Sequence, residues 1–230
     1  VPKVSVIVPA YNEEATILAV LEAVRGQSVA GVTFEIVVVD DGSTDGTGAL
    51  LKSHPRLYDR LVRKTNGGKG SAVRAGLKEA TGDYVLFQDA DLEYDPADYA
   101  KLLLPVIRFD ADVVMGSRFV APEFTRVYYF WHKIGNSLIT LIFNALHNTT
   151  FTDIYSCYLL FRRRLINPGE LVSDGWDQHA EILSRVVARA GNMYEVPISY
   201  HGRTYEEGKK IKAYHAVAVI WRILATRVGR

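Results

Sequence analysis

Cysteine is almost missing from these 230 residues: Cys157 stands alone, so no disulfide can form within the chain and no cysteine-based zinc site is possible. A reducing compartment fits. Net charge is nearly missing too, at +1, which excludes whole-surface attraction to nucleic acid. No run approaches the roughly 18 apolar residues of a membrane span, and the start lacks the charged-then-apolar pattern of a secretion signal. Low-complexity runs are absent, and 48% hydrophobic with 23% charged residues excludes disordered, collagen-like and coiled-coil classes. The length suits one domain over 1–230. The chain begins at Val1 and stops inside an apolar-periodic segment, so a fragment of a longer chain with a C-terminal anchor stays open.

Residues 3–8 and 34–39 are β-branched runs that predict buried parallel strands. Between them Asn12 predicts the cap of a helix carrying Ile17, Leu18, Leu21 and Val24 at helical spacing, which makes a βαβ unit. The alternation continues with a helix from Ser43 or Thr44 through Leu51, a strand over 61–63, a helix over 69–80 and a strand over 84–88. Asp95-Pro96 then starts a helix to Ile107, and residues 113–116 form another strand. This pattern predicts an α/β fold with a doubly wound, mostly parallel sheet, its nucleotide-binding half over 1–120. Residues 121–230 differ in character. Ile134, Leu138, Leu141, Ile142 and Leu146 recur at helical spacing, and a last helix over 213–228 gathers Val217, Ile220, Trp221 and Leu224 on one face. From His201 onward seven Lys/Arg face two acids, so this end is basic and amphipathic and suits a membrane surface. Core packing or subunit contact is the other reading of both helices.

Asp89-Ala90-Asp91, followed by Glu93, comes directly after an apolar strand. Ligands of open α/β sheets bind at the carboxyl ends of strands, and hard divalent cations choose carboxylate and phosphate oxygens. Pro9-Ala10-Tyr11-Asn12-Glu13 and Val39-Asp40-Asp41-Gly42-Ser43-Thr44-Asp45-Gly46 follow the first two strands and fall on the same edge. An aromatic there can pack on a base, and carboxylates can accept from base N–H or ribose hydroxyl groups. Asp41 reads as a ligand contact, whereas Asp45, between two glycines, reads as a turn or helix-start residue. Gly67-Gly68-Lys69-Gly70-Ser71 is not a P-loop, and no Gly-x-Gly-x-x-Gly follows the first strand, which excludes a dinucleotide site.

With Asn66-Gly67-Gly68-Lys69-Gly70 and Gly116-Ser117-Arg118, these clusters resemble family-two glycosyltransferases of the GT-A fold. The second half resembles the dolichyl-phosphate mannose synthase group, through Tyr129-Phe130-Trp131-His132, Gly135-Asn136, Thr152-Asp153 to Cys157-Tyr158, and Tyr200 to Ile211. The resemblance implies transfer of a hexose from a nucleotide sugar, GDP-mannose or UDP-glucose, to a polyprenyl or dolichyl phosphate. It implies donor contacts from Pro9, Tyr11, Glu13, Val39, Asp41, Asp89, Ala90, Asp91, Arg118, Arg203 and Lys209. It also implies a Mg²⁺ or Mn²⁺ ion on Asp91 and Glu93 with Asp89 beside it, and Asp91 and Arg118 as catalytic groups. The position of Glu93 is often Gln in mannose synthases, so an extra negative charge stands beside the implied metal. A peripheral place at the cytoplasmic face of a membrane follows from the lipid acceptor.

The chemistry suits these groups. Cleaving the anomeric C–O bond puts charge on the departing nucleoside diphosphate, which a divalent ion with Arg203 and Lys209 would stabilise. A lipid monophosphate is already largely ionised and needs no general base, only cations, for which Arg118 and Lys133 are candidates, whereas Arg126 reads as a solvated surface residue. A hydroxyl acceptor would need a base, and Asp153 has two readings, that base or the organiser of its own loop. No nucleophile for a covalent intermediate is evident, so one in-line displacement would invert the anomeric centre. A non-catalytic sensor of sugar nucleotides is the alternative outside enzymes.

Overall fold

The computed structural model describes residues 1–120, 130–202 and 215–228. The chain runs β1 (Lys3–Ala10), α1 (Ile17–Arg25), β2 (Thr33–Asp40), α2 (Thr47–Ser53), β3 (Arg60–Arg63), α3 (Lys69–Glu79), β4 (Tyr84–Phe87), α4 (Tyr99–Phe109) and β5 (Val113–Ser117). There follow α5 (Phe130–His147), β6 (Leu159–Arg162), α6 (Gln178–Val187), β7 (Met193–Pro197) and α7 (His215–Val228). One seven-stranded sheet has the order β3-β2-β1-β4-β6-β5-β7. It is parallel except at β6, which runs antiparallel to both β4 and β5. The expected α/β, mostly parallel architecture is therefore present, and the sheet draws strands from both halves of the chain.

The apolar runs explain the middle of this sheet. Val4, Val6, Ile7 and Val8 of β1 and Ile36 to Val39 of β2 are buried on both faces, as parallel strands under helices require. The helix α3 lies on β1 and β2, and α4 lies on β5. At the foot of the carboxyl edge, buried Gln88 accepts hydrogen bonds from Tyr99 and Tyr158 through Oε1, at 2.9 and 2.8 Å. Those bonds let a polar residue follow β4 directly without leaving its buried side-chain oxygen unpaired.

Helix starts differ from the sequence expectations. Asn12 does not cap α1: it takes a left-handed φ of 54°, and its Oδ1 accepts from the Thr44 amide at 2.8 Å. Helix α2 begins at Thr47 rather than at Ser43 or Thr44, because those residues bind the loop after β1. Asp95 accepts from Ala97 N–H at 2.9 Å and caps a 3₁₀ turn over Pro96–Asp98, and α4 starts only afterwards. Asp45 receives the Thr47 amide at 3.0 Å, in keeping with its helix-start reading.

Away from the ligand edge, Glu35 is buried beneath the amino ends of β1 and β2. It accepts from Ser5 Oγ at 2.5 Å, from the Thr81 amide and hydroxyl at 2.9 and 2.7 Å, and from Lys3 Nζ at 3.1 Å. Burial alone would raise its pKa, but these bonds outweigh it and bring the carboxyl down from 4.5 to about 2. A folded value below the unfolded one means stability that is present above pH 4.5 and lost as pH falls toward 2. Up to about 3 kcal/mol should disappear across that window. Urea denaturation at pH 7 and pH 3 should show this acid sensitivity in the wild type and a much flatter response in Glu35→Gln.

Candidate active site

The carboxyl ends of β1, β2 and β4 meet at one edge, with Ala10 in register with Asp40 and Ile7 with Phe87. The three clusters singled out from the sequence are stitched together there. The Asn12 amide donates to Ser43 Oγ at 3.1 Å, and Gly46 N–H donates to the Glu14 carboxylate at 2.6 Å. The Thr16 hydroxyl donates to the Ala90 carbonyl at 2.8 Å and reaches Glu13 Oε2 at 3.2 Å. Tyr11 is exposed beside Pro9, so its ring is open to a flat partner. The side chains of Val39 and Ala90 are buried, so backbone is what these two present.

Asp41 is also buried. It accepts from Lys64 Nζ at 2.5 Å and from the amides of Gly67 and Gly68 at 3.1 and 2.9 Å. A sequence reading that offered its carboxylate to the donor missed these three partners, which occupy both of its oxygens. The same glycine loop turns into α3 and delivers Lys69 to Asp89, Nζ to Oδ1 at 2.6 Å. Its glycines have a steric cause. Gly68 has a φ of +89°, and a Cβ there would lie 2.5 Å from the Asp174 carbonyl, while one on Gly70 would collide with the Ser173 carbonyl. The backbone of Gly70 instead donates to Asp174 O at 2.8 Å, locking this loop against residues 173–174. Trp176 completes the contact, with Lys69 Nζ 5.3 Å from the centre of its ring.

Asp91 is a carboxylate in negative surroundings. Burial, then the charges of Asp89 and Glu93, push its pKa up to about 7, and the Lys69 ammonium only partly offsets them. Glu93 accepts from the Tyr200 hydroxyl at 3.0 Å. Among the described residues, no three His, Cys, Asp or Glu side chains form a ready-made cage for a metal ion. Asp89, expected beside the metal with Asp91 and Glu93, is committed to Lys69.

Arg118, at the end of β5, makes a two-pronged pair with Asp153: Nε to Oδ2 at 2.6 Å and Nη2 to Oδ1 at 2.9 Å. The guanidinium lies 5.0 Å from the Tyr200 ring centre and 5.7 Å from that of Phe119. Asp153 is fully buried and also accepts from the Tyr155 amide at 3.1 Å. Of its two readings, the contacts favour the organiser of the loop, since its carboxylate is spent on Arg118. Cys157 is buried as expected, and its thiol is pushed up by burial and by Asp89, which leaves it inert. Arg203, Lys209 and Arg126 lie outside the described residues. Sequence reasoning passed over Lys69, Trp176 and Tyr200 as partners of the site, although Lys69 and Tyr200 stood inside quoted motifs.

The sequence model described as Glycosyl transferase family 2 matches residues 5–168. The chain belongs to that family. It is 32% identical over 204 residues to Glycosyltransferase AglJ of Haloferax volcanii, covering 87% of this chain and 63% of that protein. To the dolichol-phosphate mannosyltransferase of Pyrococcus furiosus it is 32% identical over 211 residues, covering 90% and 59%. It thus spans less than two thirds of the length of these relatives. Its α/β fold matches glucosyl-3-phosphoglycerate synthase from Mycobacterium tuberculosis, solved with Mn²⁺, uridine-diphosphate-glucose and phosphoglyceric acid. The TM-score is 0.70 at 22% identity, over 99% of this chain and 80% of that one.

The Arg118–Asp153 pair carries a stability consequence that is independent of catalysis. Arg118→Ala leaves a fully buried carboxylate unpaired and should cost about 3–5 kcal/mol in urea denaturation. Replacing both partners, Arg118→Met with Asp153→Leu, should recover much of that loss.

Proposed function

We infer that this glycosyltransferase moves a hexose from a nucleotide sugar, GDP-mannose or UDP-glucose, to a polyprenyl phosphate, inverting the anomeric centre with the help of Mg²⁺ or Mn²⁺. The observation that carries the donor side is the junction of the Tyr11, Asp41 and Asp89–Glu93 loops at one sheet edge. The pKa of Asp91 is pushed up by burial first and then by the nearby charges of Asp89 and Glu93, and the all-oxygen donors of these carboxylates fit a hard divalent ion. Asp91, with Glu93, would hold that ion, which when bound supplies charge stabilisation to the departing diphosphate. The exposed Tyr11 would pack on the base, with the Lys69–Asp89 pair nearby on the same sheet edge.

The acceptor side is argued from the other half of the chain. An ionised phosphate oxygen attacks the anomeric carbon as the bond to the nucleoside diphosphate breaks, and no proton has to move. That suits a site whose Asp153 is locked to Arg118 rather than free to act as a base. The outward face of α5 carries Phe130, Ile134, Leu138 and Leu141 beside Lys133, lining an open groove of about 510 Å³. The neighbouring α7 exposes Val217, Trp221 and Leu224. Apolar side chains with a cation beside them suit the surface of an anionic, lipid-bearing membrane. Among the described residues no helix is long and apolar enough to cross one. A lipid-phosphate acceptor would call for a peripheral place, at the cytoplasmic face.

Incubation with Mg²⁺ or Mn²⁺, UDP- and GDP-hexoses and a short polyprenyl phosphate should yield lipid-linked sugar by mass spectrometry. Asp91→Ala should lower that turnover by on the order of 100-fold or more while the thermal midpoint stays put; full activity would overturn the metal assignment. Tight nucleotide binding without lipid product would point to a hydroxyl acceptor or a sensor. A Trp221→Ser, Leu224→Ser double variant should partition onto anionic liposomes about tenfold less than the wild type, with nucleotide binding unchanged.

A further inference from the structure

Past the end of β7 the chain stays on the ligand edge of the sheet. Ile198 N–H donates to the Ser117 carbonyl at 3.1 Å, and Ser199 N–H donates to the buried Asp98 carboxylate at 2.6 Å. Tyr94 and Tyr200 then form an antiparallel bridge, and His201 N–H donates to the Glu93 carbonyl at 2.9 Å. Residues 198–202 are therefore laid along the loop that carries the acidic cluster. The Tyr200 ring is held in place from several sides. Its centre lies 5.1 Å from that of Tyr94 and 5.0 Å from the Arg118 guanidinium. Gly202 passes close over its hydroxyl end, where a Cβ would come within 2.6 to 2.7 Å of Cε1, Cζ and Oη.

A ring fixed in this way aims its hydroxyl, and the hydroxyl donates to Glu93 Oε2 at 3.0 Å. The backbone bonds and the ring packing hold the segment whether or not that hydroxyl is present, so the bond has a use other than the fold. Glu93 is a long side chain that many rotamers could carry elsewhere, and its amide donates to Asp91 Oδ1 at 3.1 Å, which sets both carboxylates on one tight turn. An ionised carboxylate has about four acceptor sites and can take a phenol hydrogen bond and a cation together. Groups that orient a metal-binding side chain in this manner commonly matter to metal affinity nearly as much as the side chain itself. We propose that Tyr200 is a positioning residue for the divalent ion, its hydroxyl holding the Glu93 carboxylate beside Asp91 ready to take the metal. This rests on the reading of Asp91 and Glu93 as the carriers of that ion.

Calorimetric titration with GDP and with UDP, in Mn²⁺ and again in EDTA, reads metal and nucleotide apart on the wild type, Tyr200→Phe, Glu93→Ala and the double variant. Tyr200→Phe keeps the ring and its packing, so its thermal midpoint and its nucleotide affinity in EDTA should match those of the wild type. Its nucleotide affinity in Mn²⁺ should be about tenfold lower, and the double variant should bind no worse than Glu93→Ala alone, because the hydroxyl acts only through that carboxylate. Wild-type affinity of Tyr200→Phe in Mn²⁺ overturns the proposal, as does an equal loss in EDTA or a loss that adds in full to that of Glu93→Ala. Failure of Tyr200→Phe to fold also overturns it, because the hydroxyl would then be a structural group. If the wild type binds the nucleotides no better in Mn²⁺ than in EDTA, the metal reading itself fails and the proposal falls with it.

Discussion

Lys69 reaches Asp89 at 2.6 Å, and the rest of the site is arranged around that meeting of charges. Parallel strands send their carboxyl ends, and the polar loops that follow, to one edge of the sheet. Here those loops bring Asp41, Asp89, Asp91 and Glu93, a concentration of negative charge that a folded protein tolerates only with cations in place. Lys64 and Lys69 supply two of them, from positions before and after one glycine turn. Among the described residues Asp91 has no such partner: burial, and then the charges of Asp89 and Glu93, raise its pKa to about 7.

The second pair, Arg118 with Asp153, joins the halves of the chain in a different way. Arg118 follows β5 directly in the first half, and Asp153 lies in the segment that leads into β6 in the second. Because β6 runs antiparallel between β4 and β5, the sheet edge near Asp89 is bordered by residues from both halves. Burying an ion pair stabilises little by itself, but breaking one is expensive, so the pair holds the loop that follows Asp153 in one geometry. Tyr200 ties the same region to Glu93 and lies against Arg118, so the carboxylates and the guanidinium share a neighbour.

Much of this was legible in the residues. The β-branched runs of β1 and β2, the helical spacing of α1 and the acidic loops after strands follow from periodicities that local sequence imposes. The amphipathic pattern of α5 and α7 was equally plain, and their exposed Phe130, Leu141, Val217 and Trp221 agree with it. Helix starts were less so. Asn12 has the chemistry of a cap, yet its side chain is worth more as a tie to Thr44, and tertiary contact overrode the local preference. The strands β6 and β7 went unseen, being four and five residues long with no alternation to betray them.

By itself the sequence determined the α/β class, the chemistry-bearing loops and their common edge, because strand periodicity and chain direction are local properties. Tertiary structure decided which of those carboxylates are already spoken for. No spacing rule could assign Lys69 to Asp89, Lys64 and two amides to Asp41, or Arg118 to Asp153, since each pair joins residues 20 or more apart in the chain. Charge is written in the sequence, but its neutralisation depends on distance, and distance exists only once the chain has folded.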